Sequence, residues 1–162
     1  MRKAFSLLEL FIAIILLGIM ASLSINYYNT SAISKNNIKA ELRSHFQIIT
    51  STILQCKELS GVMPLQVGGD EASDTLLNTL ECNTTPTYKL DGGRNSFIPP
   101  ALQGFSEYKA TQSGSEFYFS TSANLNSFNE DVLRDMESSY STNQYNLTQD
   151  ATSIYLKFYL SR

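Results

Sequence analysis

The sequence predicts an α+β fold in which a long N-terminal helix, half transmembrane and half amphipathic, packs on a small antiparallel β-sheet. Three observations lead to this fold class. Residues 5–25 form an apolar run, residues 38–56 carry one apolar stripe at helical spacing, and residues 152–160 alternate between apolar and polar side chains. The last two patterns suit two surfaces that bury each other.

The first helix is predicted to begin in the apolar run, which follows the basic pair Arg2 and Lys3. One carboxylate, Glu9, lies inside this run. A carboxylate that enters hydrocarbon without a partner costs on the order of 1 to 3 kcal/mol. The position of Glu9 therefore indicates a pairing group, although a carboxylate near a helix end can also reach the lipid headgroups and pair with nothing.

The segment Ala4-Phe5-Ser6-Leu7-Leu8-Glu9 resembles the N-terminal signal of type IV pilins and type II secretion pseudopilins. The resemblance implies cleavage by a prepilin peptidase between Ala4 and Phe5, N-methylation of Phe5, and a role for Glu9 in assembly. Gly18 stands where pilins often carry glycine, and Ala4 stands where the family usually has glycine. The implied division is a leader at 1–4, a transmembrane and filament-core helix at 5–25, its amphipathic half at 26–60, and a pilin-like head at 61–162.

What the resemblance implies for function is a structural subunit of a periplasmic pilus-like filament that serves type II secretion or DNA uptake. The implied partners are other pilin or pseudopilin subunits, the prepilin peptidase, an inner-membrane assembly platform and the inner membrane itself. The protein would cross the bacterial inner membrane once, with its C-terminal domain in the periplasm. In the filament, the freed amine of Phe5 from one subunit would pair with Glu9 of the next.

Two alternatives remain open. The first is a type IV pilus subunit on the cell surface, because the two kinds of machine share the N-terminal motif. The second treats residues 1–24 as a Sec signal peptide with a small-x-small cleavage site at Ser22 and Ser24, which would leave a soluble periplasmic binding module. The charge at Glu9 argues against this second interpretation.

The amphipathic half of the helix is predicted from spacings of three and four residues, which place one apolar stripe on a single side. Gly61 is the expected C-cap, and Pro64 follows it. Residues 26–37 are rich in Asn, Ser and Thr and have low helix propensity. The stripe consists of Ile38, Leu42, Phe46, Ile49, Ile53 and Cys56.

The head is predicted to contain a β-hairpin, a short helix and a C-terminal strand, with a helical turn near residues 74–80. Strands at 105–110 and 116–121 flank the turn residues 111–115. Ser127 and Glu130 form the pattern of a capping box that opens the short helix. In the last strand, alternate residues from Ile154 to Leu160 face the helix stripe.

Cys56 and Cys82 are expected to form a disulfide, since both would lie in an oxidising compartment under this topology. The alternative is that Cys56 is a small apolar member of the stripe and Cys82 a free thiol. A bridge would close a loop in the unfolded chain and thereby stabilise the folded protein by roughly 3 to 4 kcal/mol.

Composition and motifs argue against catalysis and against nucleic-acid binding. The chain has a net charge of -3, and acidic residues outnumber basic ones after Gly61, which disfavours phosphate backbones. Its single histidine, His45, has no partners for a catalytic or metal-binding set, so no catalytic residue, metal or cofactor is expected. The segment Asp91 to Asn95 suits a turn better than a calcium site. Of three Asn-x-Ser/Thr triplets, at Asn29, Asn83 and Asn146, only that of Asn83 has an acidic residue two positions earlier.

Overall fold

The computed structural model describes residues 7–91, 97–141 and 143–161, with side chains described at 12, at 15–17 and, within those ranges, from 34 onward. The chain divides into two compact units, with the boundary between Asn37 and Ile38. The first helix, α1, is Leu7–Ser60 and contributes to both units.

In the described residues of the unit from Ile38 onward there are seven strands, a 3-10 helix at Leu77–Thr79 and a second α-helix, α2, at Ser127–Glu137. The strands are β1 Thr75–Leu76, β2 Glu81–Cys82, β3 Tyr88–Lys89, β4 Lys109–Ser113, β5 Glu116–Asn124, β6 Tyr145–Gln149 and β7 Ser153–Ser161. Five of them form one sheet in the order β1-β4-β5-β7-β6, with every neighbouring pair antiparallel. Strands β2 and β3 form a separate two-stranded ribbon.

The last part of α1, residues 38–60, packs on the sheet through the predicted stripe. Phe46 is 2% exposed, and its ring lies 5.4 Å from that of Phe119 and 5.6 Å from that of Phe158. Five of the six predicted stripe residues are buried and the sixth, Ile38, packs against the core. The helical spacing is thus confirmed, because residues three and four apart share the side that meets the sheet.

The predicted fold class is nevertheless wrong as stated. The unit that contains the sheet begins at Ile38, so the long helix is not one element laid across the sheet along its whole length. The physical reason is that Asn36 and Asn37 are exposed and the polar residues before them supply no apolar stripe for packing. No helix in the described part of the chain is long and apolar enough to cross a membrane, so the transmembrane half expected at 5–25 is not found.

Local signals set the ends of several elements. Gly61 has φ +78°, and its amide donates to the carbonyl of Lys57 at 2.8 Å, which confirms it as the end of α1. The hairpin between β4 and β5 turns at Gly114, with φ +60°, because a two-residue loop needs left-handed backbone there.

The N-cap of α2 lies one residue earlier than predicted. Its N-cap is Asn126, whose Oδ1 accepts a hydrogen bond from the amide of Asn129 at 2.8 Å. Ser127 is therefore the first helical residue and not the cap. The side chain of Glu130 accepts from Arg134 at 2.9 Å instead of turning back to the helix start, so the predicted capping box is wrong.

Candidate functional site

The residues predicted to carry processing and assembly fall largely outside what the structure describes. Ala4 and Phe5 lie outside the described residues. Glu9 lies in the helical backbone of α1, but its side chain is not among those described. Their predicted roles in cleavage, methylation and assembly stay predictions.

The described side chains nearest to them form an apolar surface on α1. Ile12, Ile15, Leu16 and Leu17 are between 50% and 66% exposed. The first three lie three and four residues apart, so they share one side of the helix. Exposed aliphatic side chains that share one side of a helix are candidates for burial against protein or hydrocarbon. We refer to these four residues as the aliphatic surface.

The predicted disulfide is confirmed. Cys56 in the last turns of α1 is bonded to Cys82 in β2, with a Cα–Cα distance of 5.5 Å and no exposure of either residue. Next to it, Leu65 and Glu81 exchange two backbone hydrogen bonds of 2.9 and 2.8 Å. The bridge therefore ties the end of the helix to the ribbon and to the segment that connects them.

The chain's histidine forms a polar pair with a tyrosine at the junction of helix and sheet. His45 Nδ1 lies 2.9 Å from the hydroxyl oxygen of Tyr108, and the rings meet edge to face. Burial lowers the pKa of His45, and the nearby charge of Glu41 raises it by a smaller amount. Burial also raises the pKa of Tyr108 far above its ordinary value. Both groups are therefore neutral near pH 7, and the pair positions the helix against the sheet.

A shallow cleft lies beside Tyr108. Its volume is about 510 Å³ and it is open to solvent. Phe97, which is 55% exposed, lies on its wall, and its carbonyl accepts a long hydrogen bond from Thr52 in α1 at 3.5 Å. The cleft combines aromatic, proline and acidic groups: Asn78, Asp91, Phe97, Ile98, Pro99, Pro100, Ala101, Glu107 and Tyr108 line it.

Metal-binding geometry is missing from the part of the chain that the structure describes. Across residues 7–91, 97–141 and 143–161, no three His, Cys, Asp or Glu side chains come close enough together to hold an ion. Asp91 lies in a turn, whereas Gly92, Gly93, Arg94 and Asn95 of the weighed calcium site lie outside the described residues.

Sequence reasoning missed the contacts that α1 makes with α2 and with the residues directly after it. Lys39 Nζ pairs with Asp135 Oδ2 at 2.6 Å, and Arg43 donates to Ser139 Oγ at 2.8 Å. Both cations lie one turn apart beside the apolar stripe.

Compared with protein-family models, with curated proteins and with solved structures, the chain matches none of them. Functional assignment therefore depends on the residues of this chain.

Proposed function

We propose that this protein is a structural subunit of a pilus-like filament on the periplasmic side of a bacterial inner membrane, of the pseudopilin type that serves type II secretion or DNA uptake. Its work is mechanical, and its partners are further subunits, the prepilin peptidase and an inner-membrane assembly platform. The observation that carries the proposal is the aliphatic surface, which follows directly on the pilin-like segment from Ala4 to Glu9.

The physical basis of the proposal is the exposed apolar area of the aliphatic surface. The unit from Ile38 onward gathers most of its large aliphatic and aromatic side chains into one buried core, whereas the four side chains of the aliphatic surface are each at least 50% exposed. Covering such area is favourable by about 25 cal/mol per Å². Parallel packing of equivalent helices from other subunits covers it and brings the Phe5 amine of one subunit near Glu9 of another.

The disulfide supports the same assignment in a different way. A bridge between fully buried cysteines is typical of proteins that fold in an oxidising compartment. The periplasm is such a compartment, and it is where the head of a pseudopilin would lie.

Intact-mass and N-terminal peptide mass spectrometry of the protein from its native membrane tests the processing step. The expected result is a chain that starts at Phe5 and carries one added methyl group. A start near Ile25 would instead indicate a Sec-secreted soluble domain, and an uncut Met1 a simple anchor; either result contradicts the proposal.

Assembly is tested with Glu9→Gln, which removes the charge and keeps the shape of the side chain. We expect the cross-linked, sedimentable filament fraction to fall at least tenfold, because a buried amine is left without its counter-charge. Glu58→Gln is the matched control, since Glu58 is an exposed carboxylate on the same helix. Filaments sheared from the cell surface, and not from the periplasm, would indicate a type IV pilus subunit instead.

A further inference from the structure

The three Asn-x-Ser/Thr triplets occupy different kinds of backbone. Asn29 lies within α1. Asn146 lies in β6, where it is paired with Lys157 of β7. Asn83 lies in the connection between β2 and β3, outside any ladder, and its side chain is exposed. A transferase that must draw an asparagine into its active site can reach a turn far more easily than a residue held in a helix or a sheet.

The turn around Asn83 is stabilised by hydrogen bonds of neighbouring groups, and not by the side-chain amide of Asn83 or the hydroxyl of Thr85. The amide of Thr84 donates to the carbonyl of Cys82 at 2.9 Å, which closes a three-residue turn centred on Asn83. The hydroxyl of Thr84 donates to the carbonyl of Pro86 at 2.7 Å, and that of Thr87 to the carbonyl of Thr84 at 3.3 Å. None of these bonds uses the Asn83 amide or the Thr85 hydroxyl.

Glu81 and Asn83 face solvent on either side of a buried residue. Cys82, between them, is fully buried in its bond to Cys56. Glu81 and Asn83 line the same concavity, of about 280 Å³. The acidic residue and the amide two positions later are therefore presented together.

We propose that Asn83 is the acceptor of an N-linked oligosaccharide. The donor is an oligosaccharide joined through its anomeric carbon to a polyprenyl diphosphate, and the catalyst is a membrane oligosaccharyltransferase. The Nδ2 atom of Asn83 attacks the anomeric carbon, so that an N–C bond forms and the bond between that carbon and the diphosphate oxygen breaks. One Nδ2 proton passes to a base of the transferase, and polyprenyl diphosphate leaves; nothing is oxidised or reduced.

Each residue of the motif has a role in this step. The Thr85 hydroxyl, at the second position after Asn83, is the group that the transferase reads. Glu81 supplies the acidic group two positions before it. The concavity beside them is open and partly polar, since Gln66, Gly68 and Thr87 lie along it, and it leaves room for the first sugar against the protein.

The test is mass spectrometry of the tryptic peptide that contains Asn83, from the full-length protein purified from its native cells. We expect this peptide to carry the mass of an oligosaccharide, with fragment ions that retain the first sugar on Asn83. The Asn83→Gln and Thr85→Ala variants should lose the added mass completely. Thr85→Ser, which keeps the hydroxyl, and Asn146→Gln, which removes the strand triplet, should keep it.

An unmodified Asn83 in the native protein overturns the proposal, as does added mass that persists in Asn83→Gln. The inference depends on the proposed function in one respect, because Asn83 must lie outside the cytoplasm. The N-terminal peptide and the Asn83 peptide of the same protein separate the filament role from the modification. A chain that starts at Phe5 without a glycan refutes only the modification. A glycosylated chain that starts near Ile25 refutes only the filament role.

Discussion

Replacement of Phe46 by alanine tests whether the sheet and the last part of α1 form one core. The ring is 2% exposed and lies within 5.4 to 6.3 Å of the rings of Phe119, Phe158 and Tyr108. Loss of the buried ring area costs about 2 to 3 kcal/mol. The three aromatic contacts add about 0.5 kcal/mol or more each, so we expect the free energy of unfolding to fall by about 4 kcal/mol, inside the usual range for Phe→Ala.

The assay is urea and thermal unfolding of the full-length protein followed by near-ultraviolet circular dichroism, which reports on the packed tyrosines and not on helix content. A loss of about 4 kcal/mol corresponds to a fall in Tm of roughly 15 °C for a domain of this size. Phe46→Leu should cost only about 1 to 2 kcal/mol, because most of the volume is retained.

Phe97→Ala is the matched control, because this ring is 55% exposed. Its removal should change the free energy of unfolding by less than about 0.5 kcal/mol. If Phe46→Ala were as mild as Phe97→Ala, the ring could not be buried between helix and sheet, and the packing described above would be refuted.

Two further predictions concern the disulfide and the histidine. Cys56→Ala combined with Cys82→Ala should lower the free energy of unfolding by about 3.5 kcal/mol, the loop-closure value for a separation of 26 residues, in urea titrations of the full chain; equal stability of the two proteins would contradict it. The pKa of His45 lies below 6.5 because burial disfavours its charge, so His45 contributes stability above pH 6.5 that is lost as the pH falls through its folded-state pKa. NMR titration of this single histidine should show the lowered pKa, and Glu41→Gln should lower it further by removing a carboxylate charge; an upward shift in that variant would contradict the assigned cause.

Local patterns predicted those elements whose signals lie within a few residues of one another. Each of three features follows from the sequence of a single turn or strand. They are the stripe from Leu42 to Cys56, the end of α1 at Gly61, and the alternation through Ile154 and Phe158. The sequence also predicts the hairpin and the short helix, although β4 lies at Lys109–Ser113 and not at 105–110, and β5 runs three residues past its predicted end. Such features depend on backbone geometry and periodicity, which sequence carries directly.

Features that depend on distant partners were not predictable. Strand β6 is Tyr-Asn-Leu-Thr-Gln, whose alternation of Tyr145 and Leu147 with polar residues is too short to predict a strand, and it pairs with the edge of β7. Strands β1, β2 and β3 have two residues each, too few for any alternation. The hydroxyl of Tyr145 donates to the carbonyl of Leu133 at 3.1 Å, a contact between β6 and α2 that no local pattern indicates.

The prediction that the long N-terminal helix packs on the sheet as one element is wrong for a physical reason. Residues 26–37 have low helix propensity, yet α1 continues through them without a break, and the boundary between the two units falls between Asn37 and Ile38. Without an apolar stripe in that stretch, the sequence offers no surface on which the sheet could pack. The packing surface therefore begins only at Ile38.

Within the proposed filament, Glu9 would set the axial position of one subunit against the next. Each side chain of the aliphatic surface is at least 50% exposed, so covering it returns about 1 kcal/mol. Apolar contacts of this strength do not select one axial position over another, because aliphatic side chains slide past one another at little cost. In the proposed filament, a charged pair between the Phe5 amine of one subunit and Glu9 of the next would supply that selection, since every other register leaves two charges unpaired. Glu9→Gln should therefore abolish ordered filaments while leaving the subunits able to associate weakly, and cross-linking should detect pairs of variable register where the native protein gives one.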